Sequence, residues 1–178
     1  STQFNGLRSG PNTHIDWGYN ANGNLLVEID ANYNRTNYFY DAANRRVGML
    51  DAENYLHLYA YDAAGNLTTE RTYADRIPDN HTWYSGYGGG LSLPDIAHIA
   101  GFDATKYRET TMRYDANNRL VESHSQEVLT YDRTNGLRTQ AITNQKTYDK
   151  NGNIVMNVDG NGGKIYDFYD KAGRLILE

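Results

Sequence analysis

Two short stretches of this chain carry residue types that can hold a cation. "DKNGN" begins at Asp149 and "DGNGG" at Asp159, each mixing carboxylate, amide and glycine as calcium loops do. A calcium loop of the EF-hand kind needs Gly sixth and a bidentate Glu twelfth. Gly152 comes fourth counting from Asp149, and no distal carboxylate follows, so turn chemistry accounts for both stretches and no metal is expected. The five histidines, His14, His57, His81, His98 and His124, are scattered without the paired spacing of a zinc site. No G-x-S-x-G nucleophile elbow occurs, and the "GYGGG" stretch lacks the Lys-Ser/Thr of a phosphate loop. No catalytic residue and no cofactor is assigned.

Exposed aromatic rings can stack sugars, because each offers an apolar face with a polar tip. Tyr33, Tyr38, Tyr40, Tyr59, Tyr61, Trp83, Tyr84 and Tyr87 are the candidates. His81 beside Trp83 and Tyr84, with Tyr87 following, makes the most site-like group. Against this, a chain poor in Leu and Ile needs tyrosines for its core, and that is the expected use of most of them. Asn34, Asn66 and Asn80 head glycan-acceptor sequons, read as incidental.

The elements that must position these residues follow from a repeated phrase. "YDAAGNL" at Tyr61 returns as "YNANGNL" at Tyr19, "YDAANRR" at Tyr40, "YDANNRL" at Tyr114, "YDRTNGL" at Tyr131, "YDKNGNI" at Tyr148 and "YDKAGRL" at Tyr169. Counting the tyrosine as zero, position +1 is Asp in six copies and Asn20 in the first. Position +4 is always Gly or Asn, the residues that tolerate a left-handed backbone. Position +6 is apolar except at Arg46. The phrase therefore encodes a corner: an Asp accepts hydrogen bonds from N–H groups two or three residues on, and Gly or Asn turns the chain. The residues at zero and +6 face each other across the two strands so joined.

A second set of corners, at "IDANYN", "LDAENY" and "VDGNGG", lies ten to eleven residues after a phrase tyrosine. Between corners the pattern has period two, as in "LHLYAY", which sets Leu56, Leu58 and Ala60 against His57, Tyr59 and Tyr61. Phrase spacings are 21, 21, 53, 17, 17 and 21 residues, and those of 17 to 21 suit two strands and two turns per unit. The fold expected is all-β: an antiparallel meander of stacked hairpins, an open spiral or curled sheet. Residues 1–15 lead in, 16–73 hold phrases one to three, and 112–178 hold phrases four to seven. Residues 74–111 form an irregular insertion, with a short helix near 93–100 that Ser92 caps and Gly101 stops.

Composition fits that reading. Of 178 residues 39% are hydrophobic, and mean hydropathy is −0.77, so the core must be thin or rich in tyrosine. A net charge of −5 with no basic run argues against a nucleic-acid partner. There is no cysteine, which excludes disulfides and thiolate chemistry. No run reaches the roughly 20 apolar residues of a membrane-spanning helix. With no initiator Met and no signal core at its start, the sequence reads as a piece of something longer.

The phrase Y-D-x-x-G-R/N-L, alternating with D-x-x-G/N-x turns, resembles the YD repeat of Rhs-type proteins. "VDGNGGKIYDFYDKAGRLILE" and "LDAENYLHLYAYDAAGNLTTE" match the full unit, and the resemblance covers about two thirds of the chain. It implies a wall segment of a hollow β-shell, in a secreted or surface-bound bacterial protein, that encloses a toxin. The expected partners are further repeats, through continuation of the parent chain or self-association, together with a toxin cargo. The family's autoproteolytic D-P-x-G-L motif does not occur here, so neither self-cleavage nor a toxin is assigned. The other readings are an adhesin-type module, taking glycans or a partner protein through exposed aromatics or the 74–111 insertion, and an enzyme sited within Asp75–Tyr107, which would need His81 or His98 to meet a carboxylate.

Overall fold

The computed structural model describes residues 16–78, 102–132 and 136–178, and within them the chain is all β-strand and turn. β1 (Asp16–Tyr19), β2 (Leu25–Ile29), β3 (Arg35–Tyr40), β4 (Arg46–Leu50), β5 (Tyr55–Tyr61) and β6 (Leu67–Arg76) come first. They are followed by β7 (Tyr107–Tyr114), β8 (Leu120–Asp132), β9 (Gly136–Tyr148), β10 (Ile154–Val158) and β11 (Lys164–Ile165). Those eleven form one open antiparallel meander in sequence order, and β12 (Phe168–Tyr169) pairs with β13 (Leu175–Leu177) in a separate hairpin. The expected short helix near 93–100 lies outside the described residues. No helix among the described residues is long and apolar enough to cross a membrane.

The strands form where the sequence alternates between corners, and the corners set their register. Phrase positions zero and +6 are direct cross-strand partners at Tyr19–Leu25, Tyr40–Arg46, Tyr114–Leu120, Tyr131–Leu137, Tyr148–Ile154 and Tyr169–Leu175. A bulge beside five of these pairs steps the register by one residue, which strengthens the local twist.

One expectation is corrected. Two strands per phrase holds for 21-residue spacing, but the two 17-residue intervals each hold a single strand of 13 residues, β8 and β9. Seventeen residues minus a corner leave one long strand, so the Tyr131 phrase turns the chain at the end of the strands where second corners otherwise lie.

The chain divides into two compact units. The first comprises residues 1–59 and 71–107, the second residues 60–70 and 108–178. The first holds the core: Leu50, Leu56, Tyr73 and Ile77 are buried, with Phe39, Leu58, Phe102 and Tyr107 packed against them. Tyr73 meets Phe102 at 5.2 Å and Tyr107 edge-on at 5.8 Å between ring centres. The core is thin, as composition demands, but aliphatic side chains share it with tyrosine. In the second unit the strands are half-buried, and none of its described apolar side chains is fully enclosed.

Candidate functional site

The feature this chain builds most often is the corner itself. Nine described corners begin at Asn20, Asp30, Asp41, Asp51, Asp62, Asp115, Asp149, Asp159 and Asp170, and all share one hydrogen-bond pattern. At Asp62 its N–H donates to Asn66 C=O at 3.0 Å, and the Gly65 N–H donates back to Asp62 C=O at 3.1 Å. Asp62 Oδ1 then accepts the N–H groups of Ala64 and Asn66, both at 2.9 Å. The same four bonds recur at each of the other eight. The carboxylate thus reaches residues two and four places on. The expected bond from the second residue is present, and the fourth takes the place expected of the third because the third N–H is already held by the Asp carbonyl.

The residue three places after each Asp or Asn20 is left-handed, with φ between 60° at Asn118 and 92° at Gly152. First and second corners are therefore one motif. Tyr33 occupies this position at φ 65° with its ring largely in solvent, so it is a corner residue and not part of the core.

Position +5 of the phrase, unscored in the sequence reading, supplies the second half of the corner. The Asn66 side chain donates to Asp62 Oδ2 at 2.9 Å, as Asn34 does to Asp30 and Asn153 to Asp149. Arg45, Arg119 and Arg174 use Nε instead, at 2.7–2.8 Å to Asp41, Asp115 and Asp170. The signal was the Asn or Arg before the +6 residue in six of the seven phrases, Gly136 being the exception. Both oxygens of these carboxylates are thereby engaged. The resulting hydrogen bonds, chiefly from the Asn66 side chain at Asp62 and from the Arg45 backbone at Asp41, hold their pKa values below the ordinary range. Asp30, Asp115, Asp149 and Asp170 are lowered for the same reason. The calcium-like stretch at Asp149 is such a corner, and the amides of sequons Asn34 and Asn66 serve the same turn.

Corners are stitched to one another. Asn22 and Asn24 donate to Asn44 Oδ1 at 2.9 and 2.8 Å, and Asn66 donates to Asn118 Oδ1 at 2.9 Å. Arg119 Nη1 reaches Asp149 C=O at 3.2 Å while its guanidinium lies 4.5 Å from the Tyr148 ring centre. The phrase tyrosines add a second stitch that the sequence reading missed. Tyr114 Oη donates to Leu67 C=O at 3.0 Å and Tyr148 Oη to Leu120 C=O at 2.9 Å, each reaching the +6 carbonyl of an earlier phrase. At these two phrases the hydroxyl gives Tyr a role that Phe could not fill.

Other candidates resolve into packing. Arg46, the exception at +6, lies over the Tyr38 and Tyr59 rings at 5.9 and 5.1 Å. The Tyr38 hydroxyl, its pKa raised by burial and then by Glu28, faces Glu28 at 3.3 Å. Tyr40 and Tyr61 are half-buried in the strands. His57 bridges Thr72 Oγ1 and Asp51 Oδ2, both at 3.1 Å, and His124 meets Thr143 Oγ1 at 2.8 Å. No cluster of three metal-binding side chains occurs among the described residues. His81, Trp83, Tyr84 and Tyr87, with His14 and His98, lie outside the described residues.

A chain of stacked antiparallel hairpins with one recurrent corner, anchored by Asp in eight cases and by Asn20 in the first, defines a repeat protein whose recurrent chemistry is that of its turns. Residues 19–55 match the family model for the RHS repeat. Over those residues the chain carries the RHS repeat. No curated protein matches it. Similar solved structures include the crystal structure of TcdB2-TccC3-Cdc42, at 19% identity over 93% of this chain and TM-score 0.43, and that of TcdB2-TccC3, at 20% identity, 93% coverage and TM-score 0.43. A Photorhabdus luminescens Tc holotoxin pore aligns at 19% identity over 93% of this chain, with TM-score 0.44. The chain spans 9% of the first two matched chains and 8% of the third.

Proposed function

We propose that this chain is a non-catalytic wall segment of a large exported bacterial protein, and that its sheet helps to enclose a toxin. The observation that carries the reading is the occupancy of the corner carboxylates. Wherever an Asn or Arg stands at +5 of an Asp phrase, both oxygens hold the turn, so the recurrent acid is committed to its own corner. A residue repeated for architecture, in a family of shell-forming repeats, points to scaffold. The test is electron microscopy of the native particle carrying this segment, with limited proteolysis. A hollow body that shields its cargo until denatured is expected, whereas a rod or open sheet without a lumen would overturn the proposal.

A second reading is favoured by how the insertion leaves the sheet. β6 and β7 are neighbours, and Ala74 N–H donates to Lys106 C=O at 2.9 Å, with the Lys106 ammonium 3.3 Å from Asp75. The sheet is thus continuous from β6 to β7 on either side of the insertion. His81, Trp83, Tyr84 and Tyr87 of that insertion are proposed to bind a glycan or a partner protein at the cell surface, as an adhesin would. Hits on a glycan array that Trp83→Ala abolishes would support it, and a blank array would remove the glycan form.

A further inference from the structure

The phrase corners carry a second pattern at positions +4 and +5. The corner at Asn20 reads Gly23-Asn24, that at Asp41 reads Asn44-Arg45, and that at Asp62 reads Gly65-Asn66. The corner at Asp115 reads Asn118-Arg119, and that at Asp149 reads Gly152-Asn153. Gly-Asn and Asn-Arg thus alternate, and the 53-residue interval between Tyr61 and Tyr114 does not break the step. The Tyr131 phrase is passed over: it reads Asn135-Gly136 and turns the chain at the far end of β8 and β9. The alternation therefore follows the corners along one end of the sheet, in strand order, and not the phrases along the chain. A pattern that keeps step with neighbours in space reports what those neighbours do to each other.

The hydrogen bonds show what each type of corner offers. A Gly-Asn corner brings a donor at +5 and no side chain at +4, whereas an Asn-Arg corner brings an acceptor at +4. Asn24 donates to Asn44 Oδ1 at 2.8 Å, and Asn66 donates to Asn118 Oδ1 at 2.9 Å while also holding Asp62 Oδ2. From an Asn-Arg corner to a Gly-Asn corner the bond goes to the backbone instead. Arg119 Nε holds its own Asp115 at 2.7 Å, and Nη1 crosses to Asp149 C=O at 3.2 Å. That nitrogen lies 3.8 Å from where a Cβ on Gly152 would stand, so an Asn in that place would crowd the guanidinium. Unlike corners fit. Two Gly-Asn neighbours would leave the donor without an acceptor, and two Asn-Arg neighbours would set the guanidinium against a side chain.

We propose that the residues at +4 and +5 form a pairing code between successive corners, which selects the hairpin that lies beside each hairpin. Corners that share one hydrogen-bond pattern cannot by themselves tell the next unit from the one after it. Omitting one hairpin from the row would bring like beside like and forfeit the stitch, so the code opposes slips of a whole unit. It also carries the order across the insertion, where corner 62 must find corner 115. The corner at Asp170 departs from the code. It follows the Gly-Asn corner at Asp149, and the chain leading to it stays against β10, Asp167 N–H donating to Val155 C=O at 3.3 Å. Yet it reads Gly173-Arg174, and Gly173 offers Asn153 no side-chain acceptor. The inference goes beyond the wall-segment reading and holds whether or not the sheet encloses a cargo.

The test inverts one junction and completes another, in the full chain, with urea unfolding read in the unit of residues 60–70 and 108–178. Asn66→Arg keeps a donor for Asp62, as Arg174 is for Asp170, but removes the bond to Asn118. Asn118→Gly keeps the left-handed turn and removes the acceptor. Each alone is expected to raise the unfolding equilibrium constant about fivefold, the worth of one net hydrogen bond. Together they rebuild the Arg-to-Gly junction found between Arg119 and Gly152, and the double variant is expected to be more stable than either single one. A double variant that shows the product of the two losses would overturn the code. Gly173→Asn is the second arm, and it adds a contact instead of removing one. No heavy atom lies within 4 Å of a Cβ there, and φ is 76°, a conformation that Asn44 and Asn118 adopt at 61° and 60°. It is expected to lower the unfolding constant about threefold by accepting from Asn153, and the gain should vanish in an Asn153→Ala background. No gain, or a gain that survives Asn153→Ala, would equally sink the proposal. None of these results touches the imaging test of the wall reading, so the two can fail separately.

Discussion

At Gly65 the backbone sits at φ 91° with no heavy atom within 4 Å of where a Cβ would stand, so a side chain there would meet strain but no clash. Gly65→Ala should therefore lower stability by about 1–2 kcal/mol, the cost of left-handed backbone for an L residue. Gly65→Asn should cost less, since Asn44 and Asn118 hold the equivalent place at φ 61° and 60°. The converse applies at Tyr33, where an exposed aromatic sits at φ 65°. Tyr33→Gly should raise stability by about 1 kcal/mol, because relief of strain exceeds the entropy that Gly adds to the unfolded chain. Urea midpoints of the three variants check both statements. The corner carboxylates set the pH response. Hydrogen bonds lower their pKa in the folded chain, chiefly from the side chains of Asn66, Arg119 and Asn153 at Asp62, Asp115 and Asp149. Their contribution is fully present above the unfolded carboxylate pKa of about 3.9 and is lost as pH falls through each folded value. Asp62→Asn should keep the turn, as Asn20 does in the first corner, and narrow the stability gap between neutral and acid solution. An unchanged gap would count against the carboxylate as its source.

At the scale of the element, adjoining hairpins are joined by more than the sheet ladder. Tyr148→Phe keeps the ring under Arg119 and removes only the hydroxyl bond to Leu120 C=O. A loss of about 0.5–1.5 kcal/mol is expected. Arg119→Ala should cost more than Arg174→Ala. Both guanidiniums hold an Asp, but Arg119 also binds the Asp149 carbonyl and covers the Tyr148 ring, whereas Arg174 is mostly in solvent. Equal losses would show that the corner-to-corner contact does nothing for stability. These contacts also mark how far the sequence could be read. The corners were legible because an Asx turn and a left-handed residue are local demands, met within five residues, and the pairing of zero with +6 follows from the corner alone. The stitches were not, because Tyr114 reaches Leu67 across 47 positions of the chain, and only the pairing of strands reveals it. The single strands of β8 and β9 are hidden for a related reason: the spacing of the phrases does not set the number of strands, since what the corners fix is the turn and the register beside it.

For the molecule as a whole, the distribution of buried apolar area decides where unfolding begins. Val27, Leu50, Leu56, Tyr73 and Ile77, the described side chains with the least solvent contact, all belong to the unit of residues 1–59 and 71–107. The unit of residues 60–70 and 108–178 is held by ladder hydrogen bonds, corners and half-buried side chains, and its last strand is exposed at every residue. Burial of an aliphatic side chain contributes about 1.5–3 kcal/mol, and a backbone hydrogen bond open to water far less, so the second unit should open first. Native-state hydrogen exchange should show the slowest amides in β4, β5 and the Tyr73–Arg76 end of β6, with β10 intermediate and β13 fastest. In urea, probes in the second unit should reach their midpoint before Tyr73 does. Uniform protection across the two units, or a single midpoint for all probes, would mean that the corners and stitches supply as much stability as the core.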